Sequence, residues 1–222
     1  MKYLKLTTSF LILLTIQTFS QESSNRRFKI GLNLGINQSD LKESALEDYD
    51  KVISYSFGIS SEYKINEKLS LFFNLNYDNK MMKLENFRVI NFNNNETYFV
   101  DNKIIFNYLN APLNVRYYFG KRNKLFADAG VFYNHFLNVK NKTTRKDTEE
   151  EITAFLSPNV KKYDYGILIG LGYMFYLNEK NCLSIFLRDE FGIPNIMDYP
   201  NNPNVNIKTN TIKLILNWQI II

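Results

Sequence analysis

Seven charged residues fall on the polar positions of strand-like segments: Glu62, Asp128, Asp164 and Glu190 against Arg116, Arg188 and Lys213. Opposite charges facing one another in a narrow space could make an ion path, a proton site or a salt-bridged plug. An eight-stranded barrel has an interior just wide enough to be filled by side chains. Buried charges are costly unless they are paired and hydrogen-bonded, so the plug is the favoured reading. Phe72, Phe132 and Phe186 share the inward positions and would add to the filling. Catalysis has few candidates. Acyl transfer or proteolysis wants a base beside a nucleophile, or paired acids near an oxyanion donor. His135 is the single imidazole, and it shares its face with Ala127, Ala129, Val131 and Tyr133, the apolar one. Asp128 with Asp164 could form a carboxylate pair, although inward structural acids are the commoner case. Cys182 is the single cysteine, so no internal disulfide is possible. No enzyme activity, cofactor or metal site is expected.

These residues need strands to position them. Successive side chains of a strand point to opposite faces. In residues 69–78 the odd positions read Leu, Leu, Phe, Leu, Tyr and the even ones Ser, Phe, Asn, Asn, Asp. The same alternation predicts strands over 28–36, 52–63, 69–80, 103–119, 125–139, 162–177, 182–192 and 207–221. Pro112 lies inside the fourth; it cannot donate to a ladder, so a bulge or a local gap is expected there. Short turns at 66–68, 120–124 and 178–181 alternate with long segments at 37–51, 84–102, 140–160 and 193–206. One helical turn is expected around 44–49. Outer-membrane barrels show this asymmetry of short periplasmic turns and longer outer loops. The fold expected is all-β: an eight-stranded antiparallel up-and-down transmembrane β-barrel, apolar outside and polar within. The rival is a soluble barrel of lipocalin type, with the apolar positions turned inward around a hydrophobic ligand.

Residues 1–20 read as a secretory signal, with Lys2 and Lys5 before an apolar run and a cut between Ser20 and Gln21. The run is too short and broken for a spanning helix, which needs about 20 apolar residues. Residues 21–222 then form one barrel domain. The formal charge is +5, or +3 without Lys2 and Lys5, with both signs interspersed. No nucleic-acid surface is read from it. The 15 Tyr and 18 Phe against one Trp suit the aromatic girdles of a membrane barrel.

Three stretches resemble the PorT-like outer-membrane β-barrel proteins of Bacteroidota. They are residues 29–39, with Gly31 and Gly35; residues 108–117, with Leu109 and Pro112; and residues 164–172, with Gly166, Gly170 and Gly172. Ala111 departs from the larger aliphatic usual there, and the chain ends in Ile220-Ile221-Ile222 rather than an aromatic. The resemblance implies an outer-membrane location. Some members are implicated in a secretion and gliding apparatus, and most have no assigned activity.

Three roles follow: an envelope structural or assembly component, a surface-binding protein acting through its outer loops, or the soluble carrier. Outer-membrane lipid and envelope proteins are the expected partners of a monomeric barrel. The acids Asp40, Glu43, Glu47, Asp48 and Asp50 match no calcium-loop spacing. Asn95-Glu96-Thr97 and Asn141-Lys142-Thr143 are read as chance glycosylation triplets.

Overall fold

The computed structural model describes residues 27–42, 50–91, 96–120, 124–156, 160–196 and 207–222. The signal segment with Ser20 and Gln21, the acids Glu43, Glu47 and Asp48, the turn expected around 44–49, and Asn95 lie outside the described residues.

Ten strands form one antiparallel sheet: β1 (Phe28–Lys42), β2 (Asp50–Lys51), β3 (Ile53–Lys64), β4 (Leu69–Asn91), β5 (Glu96–Phe119), β6 (Leu125–Arg145), β7 (Glu151–Leu156), β8 (Tyr163–Tyr176), β9 (Asn181–Gly192) and β10 (Lys208–Ile221). Eight of them close a ring in the order β1-β3-β4-β5-β6-β8-β9-β10, and β10 pairs back onto β1. Closure leaves no open edge facing hydrocarbon.

Apolar side chains on the outward positions stay exposed, as in Leu34 at 63 % and Leu171 at 62 %. Inward positions are buried, and most are polar or charged. This orientation overturns the soluble-carrier alternative, which needs the apolar face inside.

Two long segments expected as loops are strand instead. β4 and β5 run on to Asn91 and back from Glu96, and β6 continues to Arg145 and pairs with β7. The first segment likewise continues to Lys42. Together the far ends of β4, β5, β6 and β7 make a sheet that projects past the barrel. Both faces of this sheet meet solvent over much of its length, so its sequence carries no strict alternation to read. Two irregularities set it off. Leu137 is an extra residue in β6, opposite the Asn107/Tyr108 step. It reverses the facing beyond it, so Val139 turns inward and is buried. In β4 the register shifts between Leu84 and Phe87, where Asn86 takes a positive φ of 56°, a conformation that asparagine tolerates better than most residues.

At Pro112 the ladder to β4 is interrupted. Bridges run to Leu113 and resume at Asn110, leaving Asn74 and Leu75 without partners in that ladder. The ladder to β6 continues through Pro112 and Phe132. The expected local gap is therefore on one side only, and the nearest bulge lies at 107/108.

Candidate functional site: the lumen and the outer rim

The lumen is stacked in layers. The plate nearest the short turns is apolar: Phe72, Tyr118, Phe126, Met174, Cys182, Phe186 and Ile215. Phe186 meets Phe72 and Phe126 edge-on, with ring centroids 6.1 and 5.8 Å away. This packing depends on Gly172. A Cβ there would run into the Phe126 ring and the Phe186 Cβ. We expect Gly172→Val to destabilise the folded barrel by about 1–3 kcal/mol, read as a lower urea midpoint in vesicles. An unchanged midpoint would show that the plate is loosely packed.

Arg116 sits on this plate. Its guanidinium carbon lies 3.8 Å from the ring centroids of both Phe72 and Phe126. Its Nε and Nη2 donate to the two carboxylate oxygens of Asp128 at 2.8 and 2.9 Å. This planar, bidentate fork is a geometry that lysine cannot copy. Glu62 lies 3.6 Å from Arg116 Nη1, accepts from Lys29 at 3.1 Å and accepts from the Tyr118 hydroxyl.

Above it, Lys213 pairs with Asp78 and, at 2.9 Å, with Glu190. Arg188 stands 3.9 Å from Asp128 and 4.0 Å from Glu190. Higher still, Asp164 accepts from Lys80 at 3.2 Å, Asn134 at 3.0 Å and Thr209 at 2.8 Å. Among the described residues the buried charges are five acids (Glu62, Asp78, Asp128, Asp164, Glu190) and five bases (Lys29, Lys80, Arg116, Arg188, Lys213). The lumen is thus balanced in charge.

All seven residues picked from the sequence stand in this network. Lys29, Asp78 and Lys80 join them without being marked in the sequence. Asp78 is on the polar positions of its segment, and Lys29 and Lys80 lie at the ends of theirs. Asp128 and Asp164 are not a pair: each has its own cation, and Asp164 is level with Asn134, six positions along β6 from Asp128. His135 is on the outer face, level with Leu109 and Tyr163. Among the described residues no three His, Cys, Asp or Glu side chains converge as metal ligands.

An amide relay links most of the ring. Asn217 on β10 donates to Asn33 on β1 at 2.6 Å, Asn33 to Asn76 on β4 at 3.0 Å and Asn76 to Asn110 on β5 at 3.2 Å. Asn110 donates to Asn134 on β6 at 2.7 Å, and Asn134 donates on to Asp164 of β8. The step from Asn33 to Asn76 crosses β3 at Gly58, the residue level with both. Any side chain at Gly58 would meet Asn76.

A second apolar plate closes the outer mouth: Met82, Phe106, Tyr108, Val139, Ile196 and Ile207. Ile196 is held over the opening by its N–H, which donates to the Ile207 carbonyl at 2.9 Å, and by its carbonyl, which accepts from the Lys161 N–H at 2.8 Å.

The family-like glycines all point inward. Gly31 is level with Gln219, Gly35 with Ile215, and Gly166 and Gly170 leave room for Phe132 and Asp128. Leu109 points outward.

On the projecting sheet, Asp101 accepts from the Asn86 N–H at 3.1 Å and faces Lys83 and Lys146 at 3.3 and 3.4 Å. The Asn86 N–H, aided by the two lysines, holds its carboxyl below the usual range. A depressed folded value means the tie is complete above the ordinary aspartate range and is lost as pH falls through the folded value. The effect is roughly a few tenths of a kcal/mol at this partly exposed site. The protection factor of the Asn86 amide, taken relative to the intrinsic exchange rate at each pH, should fall slightly on acidification in the native chain and lose that response in Asp101→Asn.

A family model for the outer membrane protein beta-barrel domain matches residues 19–198. No curated protein matches the chain. Solved structures similar to the chain at low identity include the three that follow. Neisserial surface protein A is 14 % identical, covering 90 % of this chain and all (100 %) of its own, with a TM-score of 0.47. OprG of Pseudomonas aeruginosa is 15 % identical, covering 87 % and 94 %, with a TM-score of 0.47. Ail of Yersinia pestis is 11 % identical, covering 87 % and 99 %, with a TM-score of 0.43 in its complex with the heparin analogue sucrose octasulfate. The closed ring, its apolar outside and the match over most of the chain place this protein in the outer membrane protein beta-barrel domain family.

Proposed function

We propose that this protein is a non-enzymatic, non-conducting barrel that anchors a surface-interaction sheet, built by β4, β5, β6 and β7, at the outer membrane. The observation that carries this reading is the filled lumen: a balanced charged layer between two apolar plates. The charges in that layer are paired with one another rather than offered to a passing solute, although one carboxylate oxygen each of Glu62, Asp78, Asp164 and Glu190 has no hydrogen-bond partner. The acids that could serve chemistry are engaged by cations, and the imidazole of His135 points away from them. Recognition residues commonly sit on projections from a rigid scaffold, and the long β4–β5 hairpin is such a projection. Its tip exposes Phe87, Ile90 and Phe99.

The test is conductance. The purified barrel in planar bilayers should give no stable current above the bare membrane. Ion-selective, long-lived currents from the native chain would sink the reading. The PorT-like resemblance supports a finer version, in which the sheet contacts an envelope assembly. Crosslinking from positions 87 and 99 in the expressing cell should then capture an envelope protein, and loss of the tip should abolish the capture. Export through a signal cut at Ser20-Gln21 belongs to the same reading and is checked by N-terminal sequencing of the mature protein.

A further inference from the structure

The projecting sheet has two rims, and they are built differently. One is β4 beyond Lys83, where the pairing with β2 ends. It carries the register shift between Leu84 and Phe87 and the charges of Glu85 and Arg88. Bulges and charges are devices that keep a foreign strand off a sheet edge. The other rim is β7. Among the described residues it pairs with β6 alone. From Ile152 to Leu156 it reads Ile-Thr-Ala-Phe-Leu, with no charge, proline or glycine, and its register with β6 is unbroken. Ile152, Thr153 and Ala154 are exposed.

The ladder fixes which backbone groups this rim offers. Antiparallel neighbours alternate between pairs that exchange hydrogen bonds and pairs that do not. The Arg145 N–H donates to the Glu150 carbonyl at 3.0 Å. In the register of β6 with β7, the bonded pairs are then Thr143–Ile152, Asn141–Ala154 and Val139–Leu156. Glu151, Thr153 and Phe155 therefore direct their N–H and C=O groups away from β6. The ladder on the other side of β6 agrees. The Lys146 N–H donates to the Phe99 carbonyl at 3.0 Å, so even residues of β6 serve β5 and odd ones serve β7.

A donor and an acceptor recurring about every 6.8 Å along a line match one class of ligand, another extended polypeptide. A second copy of this chain does not meet the need. In the same membrane its β7 lies at the same height and runs in the same direction, so donor faces donor, and its β4 rim is bulged and charged.

We propose that β7 takes up an extended segment of a partner protein as an added antiparallel strand, bonded to the backbone of Glu151, Thr153 and Phe155. The segment carries apolar residues beside Ile152 and Ala154 and polar ones beside Glu151 and Thr153. The inference rests on the projecting sheet being the interacting element, and it adds the mode of contact and the class of partner.

The probe is a fluorescent synthetic peptide of alternating valine and threonine with lysine at both ends. It is offered to the refolded full chain in detergent micelles, and binding is read by anisotropy. Affinity should fall about tenfold or more when every peptide nitrogen is methylated. Thr153→Pro should lose it equally, because the ring replaces an N–H on the free side and spares the ladder to β6. Thr153→Val should keep it. In the native chain the bound peptide should slow hydrogen exchange at Glu151, Thr153 and Phe155 and leave Ile152 and Ala154 unchanged. Variants are compared only in preparations that keep the heat-dependent gel shift of a folded barrel. Absence of binding by the native chain would overturn the proposal, as would equal binding of the methylated peptide or undiminished binding by Thr153→Pro. A native-chain dimer that Thr153→Pro dissolves would give the rim to a second copy and overturn the partner assignment. Crosslinking from positions 87 and 99 tests the wider role separately, so its failure is told apart from failure of strand addition.

Discussion

Arg116→Ala is expected to be the most damaging single change in the lumen, lowering the stability of the folded barrel by about 3–5 kcal/mol. The loss has two parts. Asp128 loses both halves of its bidentate partner, and a carboxylate buried at this depth has no water to replace them. Phe72 and Phe126 also lose the guanidinium that lies 3.8 Å from each of them, leaving a gap in the apolar plate. Glu62 suffers less, because Lys29 and Tyr118 still hold it. Urea unfolding of the vesicle-embedded barrel measures the effect. Arg116→Met combined with Asp128→Leu should recover more than half of it, since an apolar pair of similar volume removes both charges together, while Glu62 keeps Lys29 and Arg188 keeps Glu190. An Arg116→Ala midpoint within experimental error of the native one would show that water reaches this layer freely, and the plug would have to be abandoned.

A second large effect is expected on the opposite face. Leu113 lies midway along the outward apolar column of β5. Leu113→Lys should cost about 2–4 kcal/mol, whereas Phe119→Lys, near the short turn, should cost about 0–1 kcal/mol, because the penalty follows depth in the hydrocarbon. In a barrel surrounded by water both changes would be nearly silent. The ratio of the two, measured by the same unfolding titration, locates the membrane on the wall of this barrel. Equal costs would mean that the exposed apolar belt meets something other than a lipid core.

The ring of eight strands was legible in the sequence because one physical signal, alternation with period two, repeats in each of them and breaks at short polar turns. Ile30, Leu32, Leu34 and Ile36 could be assigned to one face without knowing any partner. Alternation says which face a side chain takes, and it is silent about which side chain it meets. Lys213 finds Asp78 135 residues away, and nothing local marks either for the other. Lys29 and Lys80 were missed for a related reason. Each lies near a segment boundary, where a charge looks like the start of solvent, yet Lys80 is well inside a strand of 23 residues. The sequence of the projecting sheet reads as loop because a run such as Lys140-Asn141-Lys142-Thr143-Thr144-Arg145 has no apolar side to reveal. Only its pairing with β5 and β7 shows it as strand. The extra residue at Leu137 then shifts everything beyond it by one face, an offset that composition does not announce.

The amide relay has a consequence for how the cylinder is sealed. β1 and β10 are the two ends of the described chain, and their ladder runs from Lys29 opposite Ile221 to Lys42 opposite Lys208. Asn33 meets Asn217 within it. A slip of two residues at this seam would keep every side chain on its proper face, so the oily exterior could not detect the error. It would, however, set Asn217 opposite Gly31 or Gly35, neither of which has an amide to answer it. The relay would be cut at Asn217, stranding its donor away from water, and in the slip toward Gly31 Asn33 would face Ile215 as well. The asparagine pair thus works as a gauge, accepting one alignment of the first strand with the last and penalising its nearest neighbours.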